Sequence, residues 1–137
     1  MAAVRVVLRD EVEWTPVHEV ATGALADYLS EGELASHITW HHPGGDDLPQ
    51  LFEVDAPSEA TFAPHSHDLD EIIYVLAGEL HLGARILTAG SSVFIPGGTL
   101  YSFKTGPDGL RFLNFRPHQD LTYRTKDEHV ARRSPEA

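Results

Sequence analysis

Cysteine is absent from the 137 residues. That removes disulfides, thiolate metal sites and cysteine nucleophiles together, and it leaves the compartment open, because a cysteine-free chain folds in either redox setting. Long apolar runs are missing too. Nothing approaches the roughly 18 apolar residues that a bilayer span needs, and the opening stretch Met1–Asp10 is too short and too soon charged for a signal peptide. A cytoplasmic location is the expectation. Basic charge is scarce, with 10 Lys and Arg against 21 Asp and Glu, a formal net charge of −11. A surface of that sign repels phosphate backbones and anionic lipid, so nucleic acid and membrane are not expected as partners. The basic residues present are partly gathered late, at Arg124, Lys126, Arg132 and Arg133, and read as a solvated tail. There is no Gly-rich phosphate loop and no Gly-x-Ser-x-Gly elbow.

The chain is long enough for one domain with a core of its own. With 42% hydrophobic and 23% charged residues it reads as globular. Three zones are visible. Residues 1–36 are mixed, with a short helix expected at Ala24–Leu29. Residues 37–118 are short apolar runs broken by Gly, Pro and Asp. Residues 119–137 are polar, an extension or loose tail. In the middle zone, β-branched and aromatic runs such as Ile72–Leu76, or alternating ones such as Glu79–Leu82, predict strands. Arg85–Leu87, Ser92–Ile95, Leu100–Phe103 and Arg111–Phe115 follow in kind, and His37–Trp40 and Leu51–Val54 precede them. Short strands with turn signals every eight to twelve residues or so predict an all-β sandwich or small barrel.

Nine histidines are present, and two arrangements stand out, His41-His42 and His65-x-His67. Alternation puts His65 and His67 on one face of a strand, so both imidazoles can reach one point. Glu71 comes four residues later, after Asp68-Leu69-Asp70, which gives the chain room to bend and bring a carboxylate to the same point. Two imidazoles and a carboxylate on one side of an ion leave positions open for water, substrate or dioxygen. The set suits one divalent metal ion, Fe, Mn, Ni, Co or Zn. Its affinity is expected to fall as protons compete near pH 6.5. If Glu71 points inward, Ile73 and Val75 do too and Tyr74 faces out. His81 is expected to be exposed, and His41-His42 to sit at an exposed loop edge.

Six or more residues beyond the Glu the pattern gains detail. After Glu71 comes Ile-Ile-Tyr-Val-Leu-Ala and then Gly78, and later Gly90-Ser-Ser-Val-Phe-Ile-Pro96-Gly-Gly98. Together these strings resemble the two motifs of the cupin superfamily, over about residues 50–116. The resemblance implies a small antiparallel β-barrel of jelly-roll type with metal inside and substrate entering at the mouth. It implies a barrel over 37–118, an extension 1–36 packing on or swapping with it, a polar extension 119–137, and a homodimer. Two departures are visible. A family Gly is replaced by Glu59, a turn position. Where the family has a further histidine ligand this chain has Tyr101, and where it usually has Asn there is Thr105. Tyr101 can ligate as a phenolate, line the pocket as hydrogen-bond or proton-transfer partner, or simply pack. In the second role it is the candidate catalytic residue, with Thr99 and Phe103 on its face. Phe94, Phe103 and Phe115 are candidate apolar walls, and Asn114 and Arg116 candidate binders of a polar substrate group. The implied function is a metal-dependent enzyme on a small organic substrate. Fe(II)-type oxygenation is the first reading, redox-neutral lyase, isomerase or cyclase chemistry the second, and a non-catalytic sensory cupin the third.

Overall fold

The computed structural model describes residues 3–133. Residues 1–2 and 134–137 and the side chain of Arg133 lie outside the described part. The chain runs from a 3₁₀ turn at Arg9–Glu11 through β1 (Thr15–Pro16), α1 (Val17–Val20), α2 (Ala24–Tyr28) and α3 (Glu31–Leu34). Strands β2 (His37–His42), β3 (Gln50–Ala56), β4 (Thr61–Ser66), β5 (Glu71–Leu82), β6 (Arg85–Leu87), β7 (Ser92–Ile95) and β8 (Tyr101–Arg116) follow, then β9 (Arg124–Thr125) and α4 (Lys126–Arg133). Among the described residues all strand pairs are antiparallel, in the order β1-β2-β3-β8-β4-β9, with β5 joining β6, β7 and β8. This is the expected all-β jelly-roll architecture, without hydrogen-bonded closure into a ring. No helix among the described residues is long and apolar enough to cross a membrane.

The expected strands are present, but two pairs of them are fused. Ile72–Leu76 and Glu79–Leu82 belong to one 12-residue strand, because Gly78 does not end it. At φ 75° it makes a bulge that lets β5 turn with the barrel wall. A β-carbon there would stand 2.1 Å from the Gly109 carbonyl oxygen, so only glycine allows β5 and β8 to approach so closely. Leu100–Phe103 and Arg111–Phe115 likewise belong to the 16-residue β8. Its first arm pairs with β4 and, at Lys104 and Thr105, with β5, and its second with β3 and β5. The strand bends between Thr105 and Leu110, and both of its ends return to the same mouth of the barrel.

Alternation sorts the faces. Phe52, Val54, Ile73, Val75, Phe103 and Phe112 point into one core, and Tyr74 points out, as expected. On the outer face Glu53 is nonetheless completely buried, under Arg9 at 3.0 Å and His41 at 3.0 Å. Arg9 of the N-terminal segment thus covers this carboxylate, and His41 holds it rather than resting at an exposed loop edge. His81 is half-buried and bonded to Glu79, away from the barrel interior.

Glu59, standing where the family resemblance has glycine, is the one non-glycine residue with positive φ among the described residues, at 53°. An L side chain in that region costs about 1–2 kcal/mol, against about 0.5–1 kcal/mol of extra chain entropy for glycine. Glu59 is exposed, so no packing is at stake. Glu59→Gly is expected to stabilise the protein by about 0.5–1 kcal/mol, read as a raised midpoint in urea unfolding at unchanged slope.

Candidate active site

Four elements bring the polar cluster together. His65 lies on β4 opposite Tyr101 at the start of β8. His67 follows just past the end of β4, Glu71 opens β5, and Asn114 and Arg116 close β8. The imidazoles of His65 and His67 have ring centres 4.9 Å apart. Glu71 Oε1 accepts hydrogen bonds from the Tyr101 hydroxyl and from Asn114 Nδ2, both at 2.9 Å. Arg116 donates through Nε to Asn114 Oδ1 at 3.2 Å and through Nη1 to the Asp120 carbonyl at 2.8 Å, with Nη2 3.9 Å from Glu71 Oε1. The motif loops are tied to each other: Gly98 N–H donates to the His67 carbonyl at 2.7 Å and Gly97 N–H to Asp70 Oδ1 at 2.8 Å. A β-carbon on Gly97 would stand 2.2 Å from the Asp68 carbonyl oxygen, so the tight turn after Pro96 requires glycine there.

Both histidines are set up as neutral donors of a lone pair. His65 Nδ1 donates to the Ala63 carbonyl at 2.7 Å, and His67 Nδ1 to the Thr122 carbonyl. A carbonyl can only accept, so each ring carries its proton on Nδ1 and leaves Nε2 free. Burial, together with the charge of the other histidine, pushes His65 down to about 4. Burial and the nearby Arg116 push His67 down to about 4 as well. The pattern of an Nδ1 fixed by a carbonyl and a bare Nε2 is that of a metal-ligating histidine. Glu71 Oε2 lies 3.9 Å from His67 Nε2. Among the described residues no three His, Asp or Glu side chains are grouped so as to hold a metal ion as they stand, with the carboxylate turned toward Tyr101 and Asn114. The donor set of two neutral imidazoles and one carboxylate nevertheless suits a divalent ion of the Fe, Mn, Ni, Co or Zn type. Burial and the Glu71 carboxylate hold the Tyr101 phenol well above its ordinary value, so its hydroxyl remains a donor.

The cluster forms the floor of a cavity of about 220 Å³, otherwise mostly apolar. Phe52, Phe62, Phe103 and Phe112 wall it from the barrel, and Leu25 of α2 and Leu29 just past its end cover it. The 119–137 segment is not a loose tail over its described part. Asp120 is buried and binds the N–H groups of Leu69 and Thr122, each at 2.9 Å. Tyr123 stacks on His65 at 4.7 Å and 7°. Arg124 pairs with Asp68, and His129 Nδ1 bonds Ser66 Oγ.

Of the residues singled out from sequence, His65, His67, Tyr101, Phe103, Asn114 and Arg116 line this cavity, and Glu71 lies buried against them. Phe94 and Phe115 do not, and they are corrected here. They are 59% and 38% exposed, because each sits one residue out of phase with the inward set, Ile95 and Asn114–Arg116 respectively. With Leu51 and Ile72 they form an outer row across four strands. Thr99 is exposed, ahead of the strand. Sequence reasoning missed Phe112, which shares the phase of Asn114 and could have been found. It missed Glu33 and Tyr123, which reach the cavity from distant segments, although Ser30-x-x-Glu33 is a legible capping box.

The fold is thus a jelly-roll sheet that sets two buried histidines and a carboxylate beside an apolar cavity. The cupin domain family matches residues 51–115. The chain is a member of the cupin superfamily, with its cupin domain at those residues. No curated protein matches the sequence. Among solved structures it is similar to the polyketide cyclase RemF from Streptomyces resistomycificus, at 24% identity and TM-score 0.69, over 97% of this chain and 95% of that one. It is similar to KdgF from Halomonas sp. at 21% identity and TM-score 0.61, over 85% and 96%. An acetylacetone dioxygenase from Acinetobacter johnsonii matches at 15% identity and TM-score 0.65, over 95% and 90%. At these identities the likeness is one of fold.

The lowered histidine values have a direct consequence for stability. Between about pH 6.5 and 4 the unfolded chain binds the protons that the folded chain refuses. Stability contributed by the neutral histidines is therefore full above pH 6.5 and lost as pH falls toward 4, by about 1.4 kcal/mol per pH unit for each ring. Urea unfolding of metal-free protein from pH 8 to 5 is expected to show a plateau and then this decline, reduced in His65→Phe. Proton competition for a metal is correspondingly expected below, not at, the pH 6.5 read from sequence.

Proposed function

We propose that this cupin is a metal-dependent enzyme acting on a small, largely apolar substrate, and that the reaction is oxygenation at an ion of Fe(II) type. The observation that carries the reading is the pair of buried, neutral imidazoles with fixed Nδ1 protons and free Nε2 atoms beside Glu71, on the floor of an apolar cavity. His65, His67 and Glu71 would hold the metal. When bound, such an ion offers positions at which substrate and dioxygen can meet, and it polarises a coordinated oxygen. The protein's own groups then have definite tasks. Tyr101 keeps its proton and donates it in a hydrogen bond to Glu71 or to a substrate oxygen. Arg116, 5% exposed and held by Asn114 and the Asp120 carbonyl, presents the cavity's cationic group and suits a substrate oxygen that gains negative charge. The phenylalanine walls exclude water and align an apolar body.

A second reading is redox-neutral cyclase, lyase or isomerase chemistry. The connected donors Tyr101, Asn114 and Arg116 around one carboxylate favour it, because they suit the movement of a proton. The likeness to a polyketide cyclase over nearly the whole chain points the same way.

One metal per chain is expected by elemental analysis of protein purified without added metal or chelator, and His67→Ala is expected to lose most of it while keeping its circular dichroism spectrum. Absence of micromolar binding of any divalent ion at pH 7.5 would remove the reading. Fe(II)-loaded protein is expected to bind nitric oxide with a characteristic electron-spin signal and to consume oxygen with substrate. Full turnover under strict anaerobiosis would transfer the assignment to the redox-neutral class. Tyr101→Phe is expected to keep the metal, to lose about 10²–10⁴ in rate, and to lose about 2 kcal/mol of stability for the hydrogen bond to a buried carboxylate. Metal loss in that variant would identify the tyrosine as a ligand.

A further inference from the structure

The cavity contains a second carboxyl group that the proposed chemistry does not use. Glu33 lies on α3, in the cover of the barrel, is 5% exposed and lines the cavity. One of its oxygens is committed. Oε1 accepts from Ala63 N–H at 2.7 Å and from Ser30 N–H at 3.3 Å, completing the capping box with Ser30. The other, Oε2, has no hydrogen-bond partner among the described residues. That leaves one carboxylate oxygen of a cavity-lining residue able to accept a hydrogen bond from a ligand. Tyr123 lines the same cavity, and its buried hydroxyl also lacks a partner among the described residues. Burial and the charge of Glu33 keep that phenol protonated. This part of the lining thus holds an acceptor without a donor and a donor without an acceptor, in a cavity whose lining is otherwise mostly apolar apart from the floor cluster.

We infer that Glu33 is a substrate-binding residue, accepting a hydrogen bond from a substrate hydroxyl through Oε2. The inference rests on the cavity being the substrate site, as proposed above, and narrows the ligand to a class. The substrate is a flat or compact apolar body, suited to the Phe52, Phe62, Phe103 and Phe112 walls, with an oxygen at the floor and a phenol or enol hydroxyl directed at Glu33. Oε1 is pinned by two backbone N–H groups, so in Glu33→Gln the amide oxygen must take its place. The amide NH₂ then replaces Oε2, and an acceptor becomes a donor without loss of the cap.

The test uses metal-free protein at pH 8, with chelator, and two fluorescent ligands, 2,6-dihydroxynaphthalene and 6-methoxy-2-naphthol. They differ in whether the second oxygen can donate. The wild type is expected to bind the diol at least about tenfold more tightly, the usual worth of a hydrogen bond to a charged group. Glu33→Gln is expected to abolish or reverse that preference, with unchanged affinity for divalent metal. Equal affinity of the wild type for the two ligands, no binding of either, or a preference that survives in Glu33→Gln would each overturn the assignment. The wild-type comparison stands whether or not the variant folds. Because no metal is present, failure here leaves the metal-centre reading intact, and failure of metal binding leaves this one intact.

Discussion

Glu71 Oε1 is bonded from both ends of the same strand. Tyr101 opens β8 and Asn114 lies near its close, yet both donate to that one oxygen at 2.9 Å. An extended strand rises about 3.3 Å per residue, so residues thirteen apart cannot share a partner unless the strand folds back. The bend between Thr105 and Leu110 makes this possible, and it depends on the close contact of Gly78 with Gly109. The rest of the site hangs from this geometry. The first arm of β8 sets His65 through pairing with β4, and the second sets Arg116 next to Gln50 of β3.

The cluster also depends on segments outside the barrel. The carbonyl of Thr122 holds the tautomer of His67, and the ring of Tyr123 lies flat on His65. Asp120 fixes that segment by binding the amides of Leu69 and Thr122. On the other side, α1 to α3 supply the leucines and valines that cover the cavity, and with them Glu33. Burial is what gives these groups their chemistry. It keeps both imidazoles neutral and the phenols protonated, leaving Arg116 as the cavity's cationic group in a chain of net charge −11. An acidic exterior and a cationic floor suit a substrate whose negative charge develops only inside.

Much of this was legible beforehand, for reasons that can be traced to particular residues. Strand phase follows from period-two alternation, so Ile73, Val75 and outward Tyr74 were read correctly from the position of Glu71. The same rule, applied strictly, would have excluded Phe115, which alternates with Asn114 and Arg116. Glu59 marked a turn by replacing a glycine, and its positive φ shows the strain that replacement costs. His41 looked like a loop residue beside Pro43 and Gly44, but its partner Glu53 lies on another strand, at a separation no local pattern encodes.

The sequence by itself determined the strand-rich class and the His65-x-His67-x-x-x-Glu71 pattern, because these are set by local alternation and by spacing within one short stretch, while its resemblance to the cupin motifs marked the jelly roll and the place of Tyr101. Only the tertiary structure decided that Tyr101 donates to Glu71, that Thr122 and Tyr123 buttress the histidines, and that Glu33 faces the cavity. These depend on how far a long strand bends and where two distant extensions dock. Both are outcomes of packing over the whole barrel rather than of any local run of residues.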